Sequence, residues 1–126
     1  MSWSTILIMG LVLVAFLGLK RLGWASAKLA RTYLQQGALV VDVRSAEEFK
    51  AGHLPNVVNI PLGELPSVLP RRVADKNQVL LLHCLSGTRS SLAKSQLKRL
   101  GYTNVFNLGS YGRAKRILNQ FIGAAK

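Results

Sequence analysis

An α/β fold with a mainly parallel sheet is predicted by two features of the sequence. Short apolar runs alternate with stretches of helical periodicity. The run Val79-Leu80-Leu81-Leu82 is uninterrupted, as a central parallel strand covered on both faces requires. The length, 126 residues, suits one such domain after an apolar leader.

The leader comes first. Thr5 to Leu19 carries no charge, and Lys20 is the first charged residue of the chain. Trp3 and Trp24 stand about 31 Å apart along a helix, matching two interfacial aromatic belts. Lys20 and Arg21 are placed to snorkel from one end. Nothing basic precedes the apolar run, which argues against a cleaved signal peptide despite the small residues Ala25-Ser26-Ala27. Lys20, Arg21, Lys28 and Arg31 follow it with no acid before Asp42. The expectation is therefore one transmembrane helix in residues 1–24, N-terminus outside, with residues 25–126 forming a cytoplasmic domain, in a bacterial inner membrane.

Within that domain, Ser26 is placed to cap a helix running to about Gln36, where Gly37 stops it. Leu39 to Val43 reads as a strand. Ser45-Ala46-Glu47-Glu48 has the form of a capping box opening a short helix that ends at Gly52. Val57 to Ile60 is a second short strand. Pro66 and Pro70 leave only short or broken helix between Gly63 and Lys76. After the central strand, Ser90 to Leu100 is helical, Val105 to Leu108 is the last strand, and Ala114, Ile117, Leu118, Phe121 and Ile122 mark one face of a final helix. Four strands are counted.

The charge balance, 17 Lys and Arg against 5 Asp and Glu, suits anionic partners such as lipid head groups or small anions. Lys94, Lys98 and Arg99 read as a solvated helix face. Arg113, Lys115 and Arg116 suit either solvent or anionic lipid. No aromatic interleaving supports nucleic-acid binding. The single cysteine excludes an internal disulfide and an internal resolving thiol, so sulfur chemistry at Cys84 must end on an external acceptor.

Cys84 ends the central strand. A tight loop follows, in which Gly87 tolerates unusual dihedral angles, and a helix starts near Ser90. Strand, loop and helix together surround the thiol with backbone N–H groups and the positive end of a helix. That setting favours the thiolate, which is the nucleophile. Arg89 is suited to hold two oxygens of an anion beside it. His83 points to the opposite sheet face from Cys84 and is a poor general base for it. A lone His-Cys pair makes no zinc site, and no metal or cofactor is called for.

The chain resembles the rhodanese family from about Ala25 to Ile122. The resemblance is carried by Val41-Asp42-Val43-Arg44 with Glu47-Glu48-Phe49, by Gly52-His53-Leu54-Pro55 with Asn59-Ile60-Pro61, and by Cys84-Leu85-Ser86-Gly87-Thr88-Arg89-Ser90. It implies a rhodanese-like fold with helices flanking the sheet. It also implies a sulfurtransferase whose Cys84 takes sulfane sulfur from a small anionic donor such as thiosulfate. Cys84 holds that sulfur as a persulfide and passes it to cyanide or a thiol. Leu85, Ser86, Gly87, Thr88 and Arg89 would line the pocket. Asp42, Arg44 and Ser90 would support it, and His53 would pack a loop. Two other readings are a Cys-loop phosphatase or arsenate reductase, and a non-catalytic, membrane-tethered binding module. Phosphatase relatives separate the cysteine and arginine by five residues, whereas here Leu85, Ser86, Gly87 and Thr88 make four. Two further departures bear on the site. Many relatives have arginine directly after the cysteine, where this chain has Leu85. Relatives often carry Gly-Gly and a later Trp after the last strand, where this chain has Gly109-Ser110-Tyr111-Gly112. The family usually has five strands.

Overall fold

The computed structural model describes residues 1–125, without the side chains of residues 20–22, 124 and 125. Helix α1 (Trp3–Leu22) is followed by α2 (Ala27–Gln35), strand β1 (Leu39–Asp42), α3 (Ala46–Ala51), β2 (Val58–Asn59), a single 3-10 turn (Leu62–Glu64) and α4 (Leu65–Arg72). Strand β3 (Leu80–His83), α5 (Thr88–Arg99), β4 (Val105–Gly109) and α6 (Tyr111–Ala125) complete the chain. The four strands are parallel in the order β2-β1-β3-β4.

The pleat sorts the core into two layers. Val41, Leu80, Leu82 and Cys84 face α4 and α5, packing with Leu65, Leu69, Ala93 and Leu97. Val40 and Leu81 face α2 and α6, packing with Ala30, Ala114, Ile117 and Leu118. Every residue of β3 is buried, as its unbroken apolar run requires of a strand covered on both faces.

Local signals account for most element ends. The Ser26 side chain accepts from Leu29 N–H, and the Ser45–Glu48 capping box is closed at both bonds. Pro66 sits in the first turn of α4, where no N–H is needed, but Pro70 lies inside the same helix, which runs on to Arg72. The short or broken helix expected between Gly63 and Lys76 is thus one 3-10 turn and one short helix, unbroken at Pro70. Helix α5 starts two residues earlier than its apolar pattern indicates, because Gly87 adopts φ 94° at the N-cap. A fifth strand position exists as a single parallel bridge, Trp24 to Asn107, beyond β4, where Ala25 N–H donates to Asn107 O at 2.8 Å.

The leader differs from expectation in two ways. It does form one helix, but among the described residues no helix is long and apolar enough to cross a membrane, so the spanning helix is not supported. The uncharged stretch from Trp3 to Leu19 rises only about 25 Å, against a hydrocarbon core of about 30 Å. Trp24, expected at an interfacial belt, instead packs on the sheet edge. The side chains of Lys20 and Arg21, expected to snorkel, lie outside the described set.

Candidate active site

Cys84 is carried out of β3 with its side chain fully buried. The Gly87 N–H donates to its Sγ at 3.0 Å, the Ser90 N–H reaches it at 3.5 Å, and the Ser90 hydroxyl lies 3.4 Å away. Burial works against ionisation. The Ser90 hydroxyl and the amides of Ser90, Gly87 and Ser86 outweigh it, and the thiol is held below its ordinary range. The cradle is therefore built for negative charge on sulfur.

Gly87 is needed on two counts. Its positive φ suits glycine, and a Cβ there would come within 2.6 Å of the Trp24 ring. Gly109, at φ 92°, meets the same ring equally closely. The loop is laced to the end of β4 and the start of α6: Cys84 N–H donates to Gly109 O at 3.3 Å, Tyr111 N–H donates to Leu85 O at 3.0 Å, and Ser86 bridges Ser110. The segment Gly109-Ser110-Tyr111-Gly112 therefore forms one wall of the site.

Asn107 is a hub that the sequence reading missed. Its Oδ1 accepts from the Ser90 hydroxyl at 2.7 Å and from Gly109 N–H at 2.8 Å, and its Nδ2 donates to Gly87 O at 3.2 Å. It is 2% exposed. A lone amide inside Val105-Phe106-Asn107-Leu108 was the available signal, since a buried polar side chain must find partners. Trp24 was also missed as a site residue. Its place on an apolar leader concealed it.

The remaining candidates divide. Ser86, Gly87 and Ser90 surround the sulfur. Leu85, 57% exposed, and Thr88 face outward. Arg89 does not point into an empty anion site. It forms a two-pronged pair with Glu48, at 2.5 and 2.9 Å, and its charge is matched there. The Arg89 bonds, with help from Ser45, hold the Glu48 carboxyl down at about 2.

Asp42 and Arg44 form a buried pair beneath the loop. Arg44 donates through Nε and Nη2 to the carboxylate at 2.8–3.0 Å, and Nη2 also reaches Gly52 O at 2.8 Å. This ties the end of β1 to the end of α3. Arg44 also stacks over Tyr111, 4.8 Å from the ring centroid. His83 lies on the opposite sheet face from Cys84 and donates from Nδ1 to Cys84 O at 3.1 Å. Its Nε2 has no hydrogen-bond partner, and burial lowers its pKa. A neutral ring with the proton on Nδ1 fits both facts. His53 stacks on Phe49 at 3.9 Å and donates to Phe49 O at 3.0 Å, holding the turn after α3.

A parallel sheet between helical layers, with a cysteine held by loop amides at a strand's end, defines a class of thiolate-based enzyme sites. The rhodanese-like domain model matches residues 26–112, and the chain belongs to that family. It is 38% identical over 69 residues to thiosulfate sulfurtransferase PspE of Escherichia coli strain K12, a match covering 55% of this chain and 66% of that protein. Among solved structures it resembles a rhodanese with anions from E. coli, at 34% identity and TM-score 0.59, covering 61% of this chain and 91% of the other. It also resembles the human single-domain sulfurtransferase TSTD1, at 30% identity and TM-score 0.57, covering 71% and 89%.

Proposed function

We propose that the protein is a sulfurtransferase in which Cys84 is the sulfur-carrying nucleophile, with a small anionic donor such as thiosulfate and cyanide or a thiol as acceptor. The observation that carries this is the set of N–H and O–H donors converging on Cys84 Sγ. The Cys84 thiolate attacks the outer sulfur of thiosulfate. The new S–S bond forms as the old one breaks, and sulfite leaves with the electron pair. The persulfide anion that remains has its charge on the outer sulfur, within the field of the loop amides and the α5 N-terminus. Cyanide then takes that sulfur as thiocyanate and regenerates the thiolate. Neither step needs a general base, in keeping with a histidine that faces away from the sulfur.

The test is mass spectrometry of protein incubated with thiosulfate and no reductant. A gain of one sulfur on Cys84, discharged by cyanide and absent in Cys84→Ala, is the expected result. Full thiosulfate:cyanide activity in the alanine variant would remove Cys84 from the mechanism.

We further propose that α1 associates with lipid and that the domain faces the cytoplasm. Support comes from Ile6, Leu7, Ile8 and Met9, consecutive residues that point to different sides of the helix and are each more than half exposed, and from the basic residues after it. Co-sedimentation of the full chain with lipid vesicles, lost when residues 1–19 are deleted, is expected. A full chain that stays in the supernatant, or an active periplasmic reporter fused at the C-terminus, would refute it.

A further inference from the structure

Helix α1 and the domain are joined with almost no slack. α1 ends at Leu22, and Trp24 already bridges Asn107 at the sheet edge, where Ala25 N–H donates to Asn107 O at 2.8 Å. Gly23 alone lies between, and one residue reaches about 3.6 Å at most. Trp24 is held in turn. Its ring packs on Gly87 and Gly109, and the Arg113 guanidinium lies 5.6 Å from a ring centroid of the indole. Wherever α1 is seated, this end of the sheet must follow.

That end carries Cys84, and α1 overhangs it. Leu17 shares a cleft of about 630 Å³ with Leu85, Ser86 and Arg116. Phe16 and Leu19 share another, of about 530 Å³, with Gly87, Thr88 and Leu92. The Cys84 loop thus lies between two open clefts, each bordered by apolar side chains of α1. Those side chains do not close on the loop, since Phe16, Leu17 and Leu19 are each more than half exposed. Leu85 and Leu92 open on the same clefts. After residue 24, they are the only large hydrophobic side chains among the described residues that are more than half exposed. Basic side chains lie beside them. Arg113 and Arg116 border the first cleft and also a smaller one against Ala27, the neighbour of the exposed Lys28. Among the described residues, no carboxylate borders any of these three clefts. Asp42 and Glu48 are paired with Arg44 and Arg89.

We propose that the Cys84 end of the domain docks on an anionic bilayer surface, with Leu85 and Leu92 entering the interface beside α1 and with Arg116 and Lys28 meeting lipid phosphates. This docking rests on the association of α1 with lipid. An apolar helix seated in lipid brings its last turn to the headgroup layer, and the short junction brings the loop with it. Exposed leucines beside basic side chains match that layer, where apolar groups reach the acyl boundary and each Lys or Arg strengthens binding about fivefold. The two clefts leave room for lipid between α1 and the loop. Cys84 then exchanges sulfur at the membrane surface. Gln36, past the far end of α2 and about 15 Å from Ser26 along that helix, stays in water.

The test places an environment-sensitive dye at one position of the full chain. Cys84→Ser removes the native thiol, and Leu92→Cys, Thr88→Cys or Gln36→Cys supplies a single new one. All three sites are exposed, so the label leaves the core intact. Each protein is mixed with vesicles of phosphatidylcholine and phosphatidylglycerol that contain a nitroxide-labelled lipid. Dye at 92 and at 88 should be quenched several-fold more strongly than dye at 36, and its emission should move to the blue. Quenching at 92 should weaken on phosphatidylcholine alone, and again when Lys28→Gln and Arg116→Gln are combined on the mixed vesicles. A chain that sediments with the vesicles, but whose dye is quenched no more at 92 and 88 than at 36, overturns the docking and leaves the lipid association of α1 standing. Equal quenching at 92 on both kinds of vesicle overturns the preference for an anionic surface. A chain that stays in the supernatant overturns the association of α1 with lipid, and the docking falls with it.

Discussion

Removing the Ser90 hydroxyl should raise the pKa of Cys84 and slow its alkylation about tenfold. Ser90 Oγ has a single proton and three acceptors in reach: Asn107 Oδ1 at 2.7 Å, Gly87 O at 3.2 Å and Cys84 Sγ at 3.4 Å. When Cys84 is a thiol, the proton belongs on Asn107, the nearest acceptor. When Cys84 is a thiolate, the hydroxyl turns to the sulfur, and Asn107 Oδ1 keeps its bond from Gly109 N–H. A hydrogen bond to a charged group contributes about 1.5–3 kcal/mol, and the neutral bond given up returns about 1 kcal/mol. The net, about 1–2 kcal/mol, corresponds to about a tenfold loss of thiolate at a fixed pH below the midpoint, with the long S···O distance favouring the lower figure. Ser90→Ala leaves the Ser90 and Gly87 amides in place, so the thiol should stay below its fully unassisted value. The assay is the pH dependence of alkylation by iodoacetamide, which reports Cys84 alone because the chain has one cysteine. At a pH below both midpoints the rate should fall about tenfold. The same shift appears in stability. A thiol with a lowered folded pKa adds stability that is complete above the unfolded value and is lost as pH falls through the folded value. In Ser90→Ala that contribution shrinks and vanishes at a higher pH. An unchanged alkylation midpoint would show that the hydroxyl stays on Asn107 and that the amides alone hold the thiolate.

Leu85→Arg should lower the KM for thiosulfate several-fold, since the side chain is exposed at the pocket lip and a second guanidinium there meets a dianion; an unchanged KM would place position 85 off the donor's path. Glu48→Gln should free Arg89 and likewise lower the thiosulfate KM, while removing from the pH–stability profile a contribution that is complete above about 4.5 and lost as pH falls through about 2. Arg44→Ala should destabilise the domain by about 3–5 kcal/mol in urea unfolding, because it strands the fully buried Asp42 carboxylate without its partner. His83 should show no imidazole protonation by NMR as pH passes 6.5: its folded pKa is lowered by burial, so the unfolded chain takes the proton first and stability declines from about pH 6.5 downward. A ring titrating at or above 6.5 would contradict the buried neutral assignment.

Much of this molecule is local and was therefore legible in the chain. The fully buried strand β3 follows from an apolar run that only a two-sided cover satisfies. The caps at Ser26 and Ser45 follow from side chains that reach only their own helix. The strand-Cys84-loop-helix order gave Cys84 its amide donors, because those donors lie within six residues of it. What tertiary structure decided is everything set by contacts across long stretches of chain. Glu48 has the spacing of a capping residue, and it is one, but its carboxylate also takes Arg89, 41 residues away. No local pattern distinguishes an arginine facing a substrate from one already paired. Trp24 follows the apolar leader at a distance suited to a membrane boundary, yet the bridge to Asn107 turns it inward onto Gly87 and Gly109. Asn107 read as a strand residue, and only the fold brings Ser90, Gly87 and Gly109 to its amide. Periodicity records which face of an element is buried. It does not record which distant group will be waiting there, since that depends on how the parallel strands are ordered and on where each crossover returns the chain.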